Sequence, residues 1–410
     1  MKRIYMDYAA ATPVDPRVLS DMAPFWNEIY ANPGAIHKEG VEALEKVQDA
    51  RTSVATILGV HADEIVFTGN ATESVNLALV GVVRAWQRAH PGRTAHVVVS
   101  AIEHDAVLLP VRILEDEGVC VTRIPVDAEG VVLTKSIQEA LTDDTVIVSV
   151  MYANNEIGTI QPLRDIAKTI RKWKKEFRDV VRTEKPTGDE RYPLFHTDAA
   201  QATNYLDIHV PQLGVDLLTL SAAKIYGPKG VGLLVVTRGV PLIPLIVGGG
   251  QEGGRRAGTE NVPGIVGFSS ALSLTEEMKE TETKRLTLIR DRCISRLRMI
   301  PEIIINGTVT ERLPNNVHFS LPYVDHEFLA IALDAKGIAV ATKSACNESE
   351  AEYSHVLVAL NEARGAEYPT SGIRLSFGRQ TTEEHVERFI DAFTQVRQEM
   401  ILPINPQERS

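Results

Sequence analysis

Short β-branched runs alternate with longer amphipathic stretches through the middle of this chain, and that alternation restricts the fold more than any other feature. The runs are EIVFT (Glu64–Thr68), HVVVS (His96–Ser100), TVIVSVMYA (Thr145–Ala153) and LLTLS (Leu217–Ser221). Helical stretches between them predict crossover connections, hence a mostly parallel sheet covered by helices. The chain has 410 residues, more than one hydrophobic core usually organises, so a smaller second domain is expected. A composition shift follows Asn261, where Gly264–Leu297 reads as one long helix or two abutting ones leading into a C-terminal α+β region. The expected division is a large domain over 14–262 and a small one over 263–410, joined by the N-terminal segment 1–13.

Open parallel sheets bind ligands at the carboxyl ends of their strands, and each predicted strand here ends in polar residues. EIVFT runs into GNATESVNLALVGVV (Gly69–Val83), a Gly/Asn turn opening a helix. Its free N–H groups and dipole suit a phosphate, with the Thr72 hydroxyl assisting, although Asn, Thr and Ser also serve as ordinary caps. HVVVS is followed by AIEHDAV, which puts His104 just past a strand end, as a satisfied loop residue or a functional one. Asn154, Asn155 and Glu156 crowd the turn after TVIVSVMYA, a composition that also serves turn geometry alone. In LFHTDAAQA the apolar approach to Asp198 predicts a partly desolvated carboxylate, which needs a cation or donors; a local salt bridge would satisfy it as well as a ligand's ring nitrogen.

Lys224 lies in SAAKIYGPKG, directly after LLTLS and among small residues. A lysine so placed can lose solvation and become the free amine that Schiff-base chemistry needs. A helix start for a phosphate, a histidine that could stack, a carboxylate for a pyridinium and a lysine amine together match the needs of pyridoxal phosphate.

From MDYAAATPVDPRV to SFGRQTTEEHV, nearly the whole chain resembles the cysteine desulfurases, pyridoxal-phosphate enzymes of the class V aminotransferase, fold-type I group. EIVFTGNATES, SAIEHDAV, ANNEIGTIQP, FHTDAAQA, AAKIYGPKGVG, GGGQEGGRRAGTENV, KSACNESEAEYSHVL and IRLSFGR carry the resemblance. It implies Lys224 as the Schiff-base lysine, His104 as the ring-stacking and acid–base residue, Asp198 as partner of the pyridine nitrogen and Gln201 as donor to the ring hydroxyl. It further implies Ala71, Thr72, Ser221 and, from a second subunit of a homodimer, Thr259 around the phosphate. Asn155 is implied at both the cofactor and the substrate carboxylate, and Arg374 at that carboxylate, which suits a bidentate guanidinium. Cys346, in a polar stretch that reads as a loop, is implied as the nucleophile that takes sulfur from L-cysteine as a persulfide. Iron–sulfur assembly or tRNA thiolation, through an acceptor or scaffold protein, is the implied destination.

Two stretches depart from the family pattern. Ala223 stands where members usually carry a histidine that helps bind the phosphate, so one donor is missing. The segment around the cysteine reads Thr342, Lys343, Ser344, Ala345, Cys346, in place of Ser-Gly-Ser-Ala-Cys. It continues into an acidic run with Glu348, Glu350 and Glu352, which suits a basic partner. Cys120 and Cys293 fall in strand-like and helix-like contexts and read as structural.

Composition narrows the partners. A net charge of −11, from 43 basic and 54 acidic residues, disfavours nucleic acid or an anionic membrane as the main partner. Three unevenly spaced cysteines suggest neither a disulfide framework nor a zinc ribbon, and no leader or spanning stretch is visible, so a cytoplasmic location is expected. The basic stretch Arg164–Arg182 reads as a solvated helix face. Other readings are a selenocysteine lyase or another β-elimination enzyme, or a catalytically weakened paralogue acting as a scaffold.

Overall fold

The computed structural model describes residues 3–181, 191–342 and 353–401. Strand β1 (Ile4–Tyr5) opens the chain, followed by β2 (Ile65–Thr68), β3 (His96–Ser100), β4 (Cys120–Ile124), β5 (Thr145–Ser149), β6 (Leu194–Asp198), β7 (Leu217–Ser221) and β8 (Gly232–Val236). Strands β2 to β8 form one sheet in the order β2-β8-β7-β6-β5-β3-β4, parallel from β4 to β7. Strand β8 alone runs against its neighbours β7 and β2.

The inner strands of the sheet are buried on both faces, which is why β3, β5, β7 and β8 are almost wholly apolar, whereas the edge strand β4 exposes Cys120 and Arg123. In β3, Val97 and Val99 point into a core shared with the helices Ala71–Ala89 and Asp105–Asp116, whereas Val98 points into the core on the opposite side. Strand β8 divides in the same way, with Leu234 and Val236 on one face and Leu233 and Val235 on the other.

The chain then enters a single helix, Val262–Arg298, started by Asn261, whose side chain accepts from the Gly264 N–H, and by Pro263 in the first turn. Its early part packs on the helices Pro16–Met22 and Lys38–Leu58, its later part on β9 (Ile304–Ile305), β10 (Asn316–Ser320) and the helix Glu383–Ile401. Strand β11 (Ile338–Ala339) pairs parallel with β1, and β12 (Ile373–Ser376) lies antiparallel to β10. Phe319, Phe389 and Phe393 pack edge-on and stacked behind this small sheet. Among the described residues, no helix is long and apolar enough to cross a membrane.

Candidate active site

The site is built at the carboxyl ends of β2, β3, β5, β6 and β7. After β2 the chain turns through Gly69 and Asn70 into the helix Ala71–Ala89. Asn70 Oδ1 accepts from the Glu73 N–H at 2.9 Å, and Glu73 Oε2 accepts from the Gly69 N–H at 2.7 Å. Ala71 and Thr72 occupy the first turn, where backbone N–H groups have no partner within the helix. Strand β8 crosses close behind: a Cβ on Gly232 would fall 2.3 Å from the Asn70 carbonyl carbon, so only glycine permits this approach.

His104 begins the helix after β3. Its backbone is extended and its Nδ1 accepts from the Ala106 N–H at 3.0 Å. That bond leaves the ring proton on Nε2. The preceding residue, Glu103, is fully buried and accepts at one oxygen from the Ser100 hydroxyl (2.5 Å) and the Met151 N–H (2.7 Å). Desolvation raises its pKa to about 8.

Strand β5 stops at Ser149, four residues before the end expected from its apolar run. Beyond it Val150 and Tyr152 donate to the carbonyls of His196 and Asp198, and Met151 to Glu103. Asn154 is a turn residue: its Oδ1 accepts from the N–H groups of Glu156 and Ile157, and its amide donates to the Ile102 carbonyl. Asn155 is buried, and its carbonyl accepts from Arg374 Nη1 at 3.1 Å.

Asp198 ends β6. It opens to the crevice on one side, yet the packing around it still raises its pKa by desolvation, offset in part by the Ala200 N–H on Oδ1 (2.9 Å) and by the charges of His104 and Lys224. Lys224 ends a turn of 3-10 helix directly after β7, past the buried Ser221. Its ammonium donates to the carbonyls of Ala9 (2.8 Å) and Ala10 (2.6 Å), and Gln201 Nε2 donates to the same Ala9 carbonyl at 3.0 Å.

These bonds join Gln201 and Lys224, and Asp198 lies within electrostatic reach of both His104 and Lys224. Arg374, on β12, reaches the same region through Asn155 and through Asp7, whose Oδ1 lies 2.8 Å from Nη2. Thr259 stands exposed in the loop after the Gln251–Gly254 turn, outside this bonded set. Ala223 contributes its carbonyl, which accepts from the N–H (3.1 Å) and hydroxyl (3.0 Å) of Thr12. Cys346, Lys343 and the acidic Glu348, Glu350 and Glu352 lie outside the described residues. Cys293 is buried, which pushes its thiol pKa far up, whereas Cys120 is exposed at the start of β4 on the sheet edge.

Sequence reasoning missed the N-terminal segment. Asp7, Ala9, Ala10 and Thr12 touch Arg374, Lys224, Gln201 and Ala223, mostly through main-chain atoms, which leave no mark in a string of small residues. The one legible signal was Asp7, a lone acid beside that string.

The aminotransferase class-V family model matches residues 4–180 and 188–389. A cysteine desulfurase IscS of Dictyoglomus turgidum is 41% identical over 398 residues, covering 97% of this chain and 95% of the relative. Cysteine desulfurase IscS 1 of Archaeoglobus fulgidus is 41% identical over 94% of this chain and 95% of its own length. Among solved structures, a NifS-like protein superposes with a TM-score of 0.85 at 36% identity, covering 97% of this chain and all of its own. SspA in complex with cysteine superposes at 0.75 and 33% identity, over 91% of this chain and 98% of that one.

Proposed function

The chain belongs to the class-V aminotransferase family, and we propose that it is a pyridoxal-phosphate-dependent cysteine desulfurase that converts L-cysteine to L-alanine and carries the sulfur as a persulfide on Cys346. The observation that carries this reading is the Asp198 carboxyl, set among packed groups that raise its pKa, with the His104 ring and the Lys224 amine as its neighbours. Such a carboxyl is costly to ionise until a further cation meets it, and a protonated ring nitrogen supplies one. The residues fit the cofactor elsewhere too: the Ala71 and Thr72 helix start and Ser221 for its phosphate, with Gly232 keeping room behind them, and Gln201 for its ring hydroxyl.

When bound, pyridoxal phosphate supplies an electron sink for the substrate Cα. Lys224 moves the proton at that carbon, the carbonyls of Ala9 and Ala10 receiving its ammonium when it is charged. His104, with Nδ1 committed to the Ala106 N–H, acts through Nε2. Arg374 holds the substrate carboxylate beside Asn155. The Cys346 thiolate attacks the substrate sulfur; the S–S bond forms as the C–S bond breaks, and the carbon left behind takes a proton to give alanine. A homodimer, with Thr259 reaching the partner's phosphate site, and transfer of the sulfur to an iron–sulfur scaffold or a tRNA-thiolation acceptor complete the proposal.

Replacing the thiol tests this reading. Cys346→Ala is expected to bind pyridoxal phosphate as the wild type does and to lose persulfide formation from L-cysteine, measured by alkylation and mass spectrometry. Sulfide release by the variant at the wild-type rate would instead identify a β-elimination enzyme that does not need the thiol.

A further inference from the structure

Arg374 is held from two sides before any ligand arrives. Its side chain is only 4% exposed, Nη2 meets Asp7 Oδ1 at 2.8 Å, Nη1 donates to the Asn155 carbonyl at 3.1 Å, and Nε is buried with no partner. The residue does not need Asp7 to keep its place. Its main chain exchanges hydrogen bonds with Ala341 in both directions (2.7 and 3.1 Å) and pairs with His318 in β10. Asp7, for its part, is fixed by main chain: β1 pairs with β11 just before it, a bridge joins it to Ser376, and Ala9 and Ala10 hold Lys224 just after it.

Resting on the reading that Arg374 receives the substrate carboxylate, we infer that Asp7 is a built-in counter-carboxylate that weakens the site's hold on carboxylate ligands and so hastens release of the amino-acid product. A guanidinium is small, so two carboxylates sharing it stand within about 5 Å of each other. Like charges that close in a partly buried site change affinity by about tenfold or more. A ligand therefore meets a cation that is already compensated. A purely structural Asp7 would have the opposite effect, because losing it would disorder Arg374 and weaken binding.

The sign of the change decides the matter. In the pyridoxal-phosphate-loaded protein, Asp7→Asn is expected to bind L-alanine about tenfold more tightly by calorimetry and to lower the KM for L-cysteine. Binding of ethylamine, which lacks the carboxylate, should stay within about twofold. Asp7→Ser should behave like Asp7→Asn, and Asp7→Glu should return towards the wild type. Weaker or unchanged L-alanine binding in both neutral variants overturns the role of Asp7. Arg374→Gln separates the two readings: if it does not weaken L-alanine relative to ethylamine, the carboxylate site itself is elsewhere and the proposal falls with it.

Discussion

At the scale of single residues, the site was legible where chemistry needs a side chain at a strand end. Asp198, Lys224 and His104 each follow an apolar run; Asp198 and His104 each also have an ordinary structural use there, and only the convergence of all three on successive strand ends points to a site. Glu103 was not legible, because beside His104 and Asp105 it looks like one more acid at a helix start. The fold instead buries it completely, with Oε1 bonded to Ser100 and Met151 and Oε2 without a partner. Burial, with a smaller contribution from Asp198, raises its pKa from 4.5 to about 8. The folded state then binds the proton more tightly than the unfolded one, so the stabilisation is complete below the unfolded pKa and is lost as pH rises towards about 8. Glu103→Gln keeps the shape without the charge. Its stability relative to the wild type, from urea unfolding of the cofactor-free protein, should climb between pH 5 and 8 by up to roughly 1.4 kcal/mol per pH unit. A difference that does not vary with pH would mean that Glu103 is ionised or solvated in the fold.

At the scale of elements, the helix His355–Arg364 shows how the C-terminal region is fastened to the site. Ser354 caps it, accepting from the Leu357 N–H at 3.2 Å, and donates its own proton to Glu156 Oε2 at 2.6 Å. The His355 ring lies 2.9 Å from the Glu103 carbonyl. One helix start thus grips the turns that carry Asn155 and His104. Removing the hydroxyl in Ser354→Ala deletes a cap and leaves a buried carboxylate oxygen unpaired, a cost of about 2 kcal/mol or more in denaturant unfolding. A loss below about 0.5 kcal/mol would show that water replaces the hydroxyl without penalty.

The strands β2, β3 and β7 stood out in the sequence because their burial is continuous, and the Val262–Arg298 helix because no glycine or proline interrupts it after Gly267. The pairing of β1 with β11 did not, since two-residue strands carry no period. Nor did the reversed direction of β8, which is as apolar as the strands β2 and β7 it runs against and differs only in how the chain enters it.

At the scale of the whole molecule, the N-terminal segment closes the design. It leaves its pairing with β11, passes Asp7 to Arg374, lends carbonyls to Lys224 and Gln201, and ends with Thr12 bonded to Ala223 and to the Tyr226 N–H. A chain remote in sequence from the lysine therefore sets where the amine rests, which no local pattern around SAAKIYGPKG could reveal. Ala223 offers no side-chain donor, so the proposed phosphate site rests on the groups at the Ala71 helix start and on Ser221. The decisive measurement is the alanine formed when the purified protein, loaded with pyridoxal phosphate, meets L-cysteine under reducing conditions. A desulfurase with this site yields alanine in large molar excess over enzyme. No alanine, with the cofactor shown to be bound, would contradict the assignment of L-cysteine as the substrate.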